Sequence, residues 1–66
     1  LNRLIHQFNI ALGLLPFPQK EAFCLQQEGF SFAEIAQLTS SEVETVKSRI
    51  RYAKRALKKY LEQYRD

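Results

Sequence analysis

From Val43 to Leu61, apolar residues recur every third or fourth position (Val43, Val46, Ile50, Ala53, Leu57, Leu61), and the positions between them are strongly basic. Lys47, Arg49, Arg51, Lys54, Arg55, Lys58 and Lys59 all fall in this stretch, and no acidic residue stands between Lys47 and Lys59. A stripe with that spacing marks an α-helix that buries one face and leaves the other in water. The remainder of the 66 residues must therefore supply a cover for the stripe. A chain of this length is one small domain, near the lower size limit for unaided folding. With only two Gly and two Pro, a strand-and-turn fold is not expected, and Cys24 alone cannot form an internal disulfide. No apolar run approaches the ~20 residues needed to span a bilayer, and no signal-peptide layout is present, so neither membrane insertion nor export is expected. A deep catalytic pocket is hard to build at this size. We expect no enzyme activity, no small-molecule substrate and no cofactor, but a soluble cytoplasmic binding module. The chain starts at Leu1 rather than Met, which reads as a piece of a longer protein.

Charge is unevenly distributed along the chain. Residues 1–30 balance Arg3 and Lys20 against Glu21 and Glu28, and residues 31–46 carry only Glu34, Glu42 and Glu44. The net charge of +3 thus comes from the basic helix at the C-terminal end. A concentrated basic surface attracts polyanions, nucleic acid first; the alternative is an ordinary solvated helix face.

Upstream, Leu4, Ile5, Phe8 and Leu12 predict a first amphipathic helix over residues 2–13, closed by Gly13 as a C-terminal cap. Pro16 and Pro18 forbid its continuation, and Pro18 suits the first position of a second helix running to Glu28, with Ala22 and Leu25 inward, Phe23 at the flank and Gly29 as the stop. Ser31 and Glu34 have the spacing of a capping box, with Phe30 and Ile35 placed as a hydrophobic staple, opening a short helix over residues 32–38. Thr39-Ser40-Ser41 then breaks the chain, and Ser41 with Glu44 repeats the capping spacing to open the basic helix, which reaches residues 60–63. Phe8, Phe17, Phe23, Phe30 and Phe32 read mainly as core, with Phe17 available to a protein partner, and Cys24 reads as a small core residue. His6 has no second His or Cys at ligand spacing, so no metal site is expected. The outcome is an all-α fold, a small four-helix bundle with a helix-turn-helix at about residues 31–62 and no winged element.

The runs Leu15-Pro16-x-Pro18-Gln19-Lys20-Glu21-Ala22-Phe23, Glu28-Gly29-Phe30-Ser31-Phe32-Ala33-Glu34-Ile35-Ala36 and Thr45-Val46-Lys47-Ser48-Arg49-Ile50 carry a resemblance. Together they resemble the fourth conserved region of bacterial sigma factors, most closely the extracytoplasmic-function (ECF) group, over about residues 5–62. The resemblance implies recognition of the −35 promoter element, docking on the flap of core RNA polymerase, and an anti-sigma factor as a further partner. It also implies that residues 1–66 form one such domain within a longer transcription-initiation factor. Three positions depart from the family pattern: Ser40 stands where a turn Gly is usual, Thr39 and Ser41 where apolar residues are usual, and Lys20 where Arg is usual. A Ser forced to positive φ at that turn would be strained by about 1–2 kcal/mol relative to Gly.

At about 100° per residue, the face of the basic helix opposite its stripe carries Glu44, Ser48, Arg51 and Arg55, flanked by Thr45, Tyr52 and Lys59. If its N-terminal half enters the major groove of double-stranded DNA, Glu44, Ser48 and Arg51 are the candidates for base edges. Thr45, Lys47, Arg49, Lys54 and Arg55 are then the candidates for phosphates. For Glu44, the capping role is a competing structural explanation. Two rival readings are the DNA-binding effector domain of a luminescence-type response regulator, and a protein-interaction module that binds an anti-sigma factor or the polymerase flap.

Overall fold

The computed structural model of the chain describes residues 2–64, with four helices: α1 Asn2–Leu14, α2 Phe17–Gln27, α3 Phe32–Leu38 and α4 Val43–Glu62. No strand occurs among the described residues, and the fold is all-α with a helix-turn-helix formed by α3 and α4. None of the helices is long and apolar enough to cross a membrane.

α4 is the spine of the molecule: α1, α2 and α3 all pack against it, and α2 also packs against α3. Its buried stripe serves two clusters. Val46 and Ile50 meet Ala22, Ile35 and Ala36, with Leu25 at the edge, while Ala53 and Leu57 meet Ala11, Leu15 and Phe23, with Phe8, Leu12, Cys24 and Tyr60 around them. The first cluster locks α3 to the N-terminal half of α4; the second carries α1 on the C-terminal half. Val43 and Leu61, at the two ends of the stripe, lie outside the buried set. The result is elongated, 38 × 18 × 16 Å.

Several expectations are corrected. Gly13 does not cap α1; it lies within the helix, which continues to Leu14 before Pro16 halts it. α2 starts one residue early, with Pro16 as N-cap, Phe17 first and Pro18 second; both prolines occupy positions whose missing N–H removes no helical bond. Phe23 faces the core rather than the flank. On α1 the buried residue is Ala11, with Phe8 and Leu12 beside it and Leu15 just past the helix end, while Leu4 and Ile5 stay 51% and 56% exposed. α1 packs chiefly on α4, and one neighbour covers only part of an amphipathic stripe. Phe17, Phe30 and Phe32 are likewise exposed rather than core, because each sits at or just before a helix start, outside the two clusters on the α4 stripe.

Helix ends follow local chemistry. Gly29, at φ 101, ends α2: Gly29 N–H donates to Gln26 O at 3.0 Å and Phe30 N–H to Leu25 O at 3.2 Å, the paired bonds of a Schellman motif. The capping box at α3 forms as its spacing predicts. Ser31 N–H donates to Glu34 Oε1 at 2.8 Å, and Glu34 N–H donates to Ser31 Oγ at 3.1 Å. The second box, Ser41 with Glu44, does not form. The N-cap of α4 is Glu42, which makes no side-chain cap bond.

Candidate nucleic-acid interface

The turn between α3 and α4 ends α3 with a second Schellman motif. Ser40 N–H donates to Gln37 O at 3.3 Å and Ser41 N–H to Ala36 O at 2.8 Å, with Ser40 at φ 53 in the left-handed region. The strain expected of a Ser in that place is therefore present. Ser41 is still bound to α3 through its N–H, so it cannot begin α4; this is why its spacing to Glu44 yields no box. The hydroxyls of Thr39 and Ser41 are both engaged. Thr39 Oγ1 donates to Ile35 O at 2.7 Å, Ser41 Oγ donates to Thr39 O at 3.1 Å, and Arg49 Nη1 donates to Ser41 Oγ at 2.8 Å. Polar residues at 39 and 41 thus take bonds that apolar ones could not make.

Burial of Val46, Ile50, Ala53 and Leu57 turns the opposite side of α4 outward. Glu44, Thr45, Lys47, Arg51, Lys54 and Arg55 are exposed there, and Ser48 and Arg49 are half-buried. The structure thus brings together Glu44, Ser48, Arg51 and Arg55, as the helical mapping expects. Arg51 Nη2 lies 3.3 Å from Ser48 Oγ, to which it donates. Glu44 Oε2 pairs with Lys47 Nζ at 3.3 Å, in a contact whose carboxylate side chain is 85% exposed. An ion pair that open to water holds its partners weakly and leaves both free to exchange for another ligand. Glu44 makes no capping bond and stands as an exposed acidic residue in the first turn of α4.

Two aromatic residues outside the expected contact set belong to this surface: Tyr52, which the helical mapping puts at its flank, and Phe32, which reads as core from the sequence. The Tyr52 ring lies under the guanidinium groups of both Arg51, at 5.4 Å, and Arg55, at 5.9 Å. Phe32, at the start of α3, lies under Lys47 Nζ at 5.8 Å. Such cation–π contacts hold long basic side chains in a narrower range of directions. The Tyr52 contacts had a sequence signal in the three-residue spacing to Arg55; that of Phe32 crosses between helices and had none. Arg49 is the departure: its guanidinium turns back to the turn instead of outward.

The remaining surface is of another kind. Phe30, Glu34, Gln37 and Leu38 line an open, partly apolar groove beside α3, and Phe17, at the start of α2, stands 68% exposed. At the far end of α4, Tyr60 is held above the ordinary tyrosine pKa chiefly by its hydrogen bond with Tyr64, and its hydroxyl faces Gln7 Oε1 at 3.5 Å. That cluster joins α1 to α4 and lies away from the basic face. Among the described residues no group of three or more His, Cys, Asp or Glu could hold a metal ion.

The sequence model of the family described as Sigma-70, region 4, matches residues 8–57. That span takes in the Leu15 to Phe23 block together with α3, the turn and most of α4. No curated protein and no solved structure matches the chain.

Proposed function

The chain belongs to the sigma-70 region 4 family, and from that premise we propose that it is the domain of an ECF-type sigma factor that reads the −35 element of bacterial promoters. The observation that carries the reading is the basic outer face of α4, exposed opposite its buried stripe and presented by a short helix and turn. A helix so placed can lie in the major groove with its N-terminal half on bases. Arg51 offers a bidentate contact to guanine, Glu44 an acceptor for cytosine N4, and Ser48 a single hydroxyl. Thr45, Lys47, Lys54 and Arg55 then lie on phosphates, which position the helix without specifying sequence. We propose one domain over residues 1–66 within a longer cytoplasmic transcription factor, acting by binding rather than catalysis.

The family places region 4 with RNA polymerase as well as DNA. The apolar groove of Phe30 and Leu38 favours a protein-binding surface separate from the basic face; the polymerase flap or an anti-sigma factor suits it. The test of the DNA reading is duplex binding across a salt series. With about four phosphate contacts, log affinity should fall against log salt with a slope of about −3 to −4. Arg51→Ala should cost about 1–3 kcal/mol on a duplex selected by the parent chain and much less on random sequence, whereas Lys54→Ala should weaken both alike and shallow the slope by about 1. Binding that ignores salt would refute the reading and favour the protein-interaction alternative.

A further inference from the structure

We propose that Arg49 is a positioning residue, not a phosphate contact: through Ser41 it ties the recognition helix to the turn and so sets the angle at which α4 meets DNA. The turn is fastened firmly on one side only. Ser40 and Ser41 are bound through their N–H groups to Gln37 O and Ala36 O, so the turn moves with α3. On the α4 side, Glu42 supplies no side-chain cap, and the first backbone bond is Val46 N–H to Glu42 O at 3.1 Å. Arg49, about two turns into α4, reaches back across this gap. Its 2.8 Å bond to Ser41 Oγ continues through the 3.1 Å bond from that hydroxyl to Thr39 O. A hydroxyl that accepts from a cation donates more strongly in turn, so the two bonds reinforce each other. Arg49 is half-buried while Arg51, Lys54 and Arg55 are exposed. Its guanidinium is therefore the one on this helix, among the described residues, that is committed to the turn.

The leverage is large. Arg51 stands eight residues beyond Val43, about 12 Å along the helix, where a tilt of about 10° displaces a side chain by about 2 Å. That is enough to lose a bidentate contact whose bonds tolerate only a few tenths of an ångström. Loss of the tie should thus impair sequence readout more than general attraction to DNA.

This inference rests on the DNA-binding reading, and the experiment separates the two. Four proteins are compared, the parent 66-residue chain, Ser41→Ala, Arg49→Gln and the double variant, each titrated with a duplex selected by the parent and with a random-sequence duplex across a salt series. Each single variant should lower affinity for the selected duplex about three- to tenfold, as expected for the net contribution of one hydrogen bond, with a far smaller loss on the random duplex. The double variant should be no worse than the weaker single one. Arg49→Gln should keep the parent's salt slope, where Lys54→Ala shallows it by about 1. A shallower slope for Arg49→Gln, equal losses on both duplexes, or losses that multiply in the double variant would each overturn the proposal. Circular dichroism of all four keeps unfolding from passing as lost readout. If the parent itself fails to bind duplex DNA, the function reading fails. Coupling of Ser41 and Arg49 in urea unfolding would then still support the tie, and its absence would overturn that as well.

Discussion

The two helix junctions of the molecule, α2 to α3 and α3 to α4, share one backbone plan and differ in every side chain that executes it. Each ends its first helix with a left-handed residue (Gly29 at φ 101, Ser40 at φ 53) and a pair of Schellman bonds. Each then begins the next helix with an N-cap two residues later, Ser31 in the first and Glu42 in the second. The intervening residue is Phe30 in one and Ser41 in the other. In the first junction the hydroxyl therefore falls on the cap position and the capping box closes locally. In the second the hydroxyl falls one residue early, where its own N–H is already held by Ala36 O, and it is used for a bond to Arg49 instead. The first junction is complete within its own few residues, whereas the second depends on a side chain eight positions away. A self-contained junction suits a structural corner; one that needs its recognition helix suits a place where helix direction matters.

The comparison is sharpest at Gly29. Gly29→Ala should lower unfolding free energy by about 1–2 kcal/mol, since an added Cβ meets open space and only the backbone conformation resists it. A urea titration showing no loss would mean that φ 101 is not needed to end α2. Next in size is Ser31→Ala, which removes the box acceptor at α3 and should cost about 1 kcal/mol in the same assay; a negligible change would equate the two junctions. Ser40→Gly should act in the opposite direction, raising stability by several tenths to about 1 kcal/mol as the left-handed strain is relieved. Destabilisation there would show that the Ser40 side chain contributes more than its backbone costs. Smallest is Glu44→Gln, expected within about 0.5 kcal/mol of the parent because an exposed ion pair contributes little. A loss as large as that of Ser31→Ala would restore a capping role that the structure denies to Glu44.

Much of the fold was legible because helix formation here is governed by local signals. The 43–61 stripe repeats every three or four residues. The Pro16 and Pro18 break, the Gly29 stop and the Ser31–Glu34 box each act over four residues or fewer, and all four helices appear within about one residue of where these signals put them. The outward face of α4 was legible for the same reason, since burial of Val46, Ile50, Ala53 and Leu57 leaves Glu44, Ser48, Arg51 and Arg55 no other direction. The errors lie where the answer depended on a neighbour. Leu4 and Ile5 have the right spacing for burial, yet an apolar residue is buried only where another element covers it. Phe17, Phe30 and Phe32 have core chemistry but stand at or just before helix starts, outside the two buried clusters.

Ser41 and Arg49 make the division plain. Sequence alone determined that a helix-turn-helix forms and that its second helix is amphipathic and basic, whereas the left-handed conformation of Ser40 came from the structure. The first two follow from local breaking and capping signals and from the 3.6-residue period of the α-helix. Whether Ser41 would cap α4 or remain with α3 turned on a one-residue difference in where the Schellman bonds close. Whether Arg49 would face phosphates or the turn depended on a hydroxyl brought within 2.8 Å only once α3 and α4 had packed. Hydrogen-bond partners of a long, flexible side chain are chosen by distance in space, and only the tertiary structure brings those groups together.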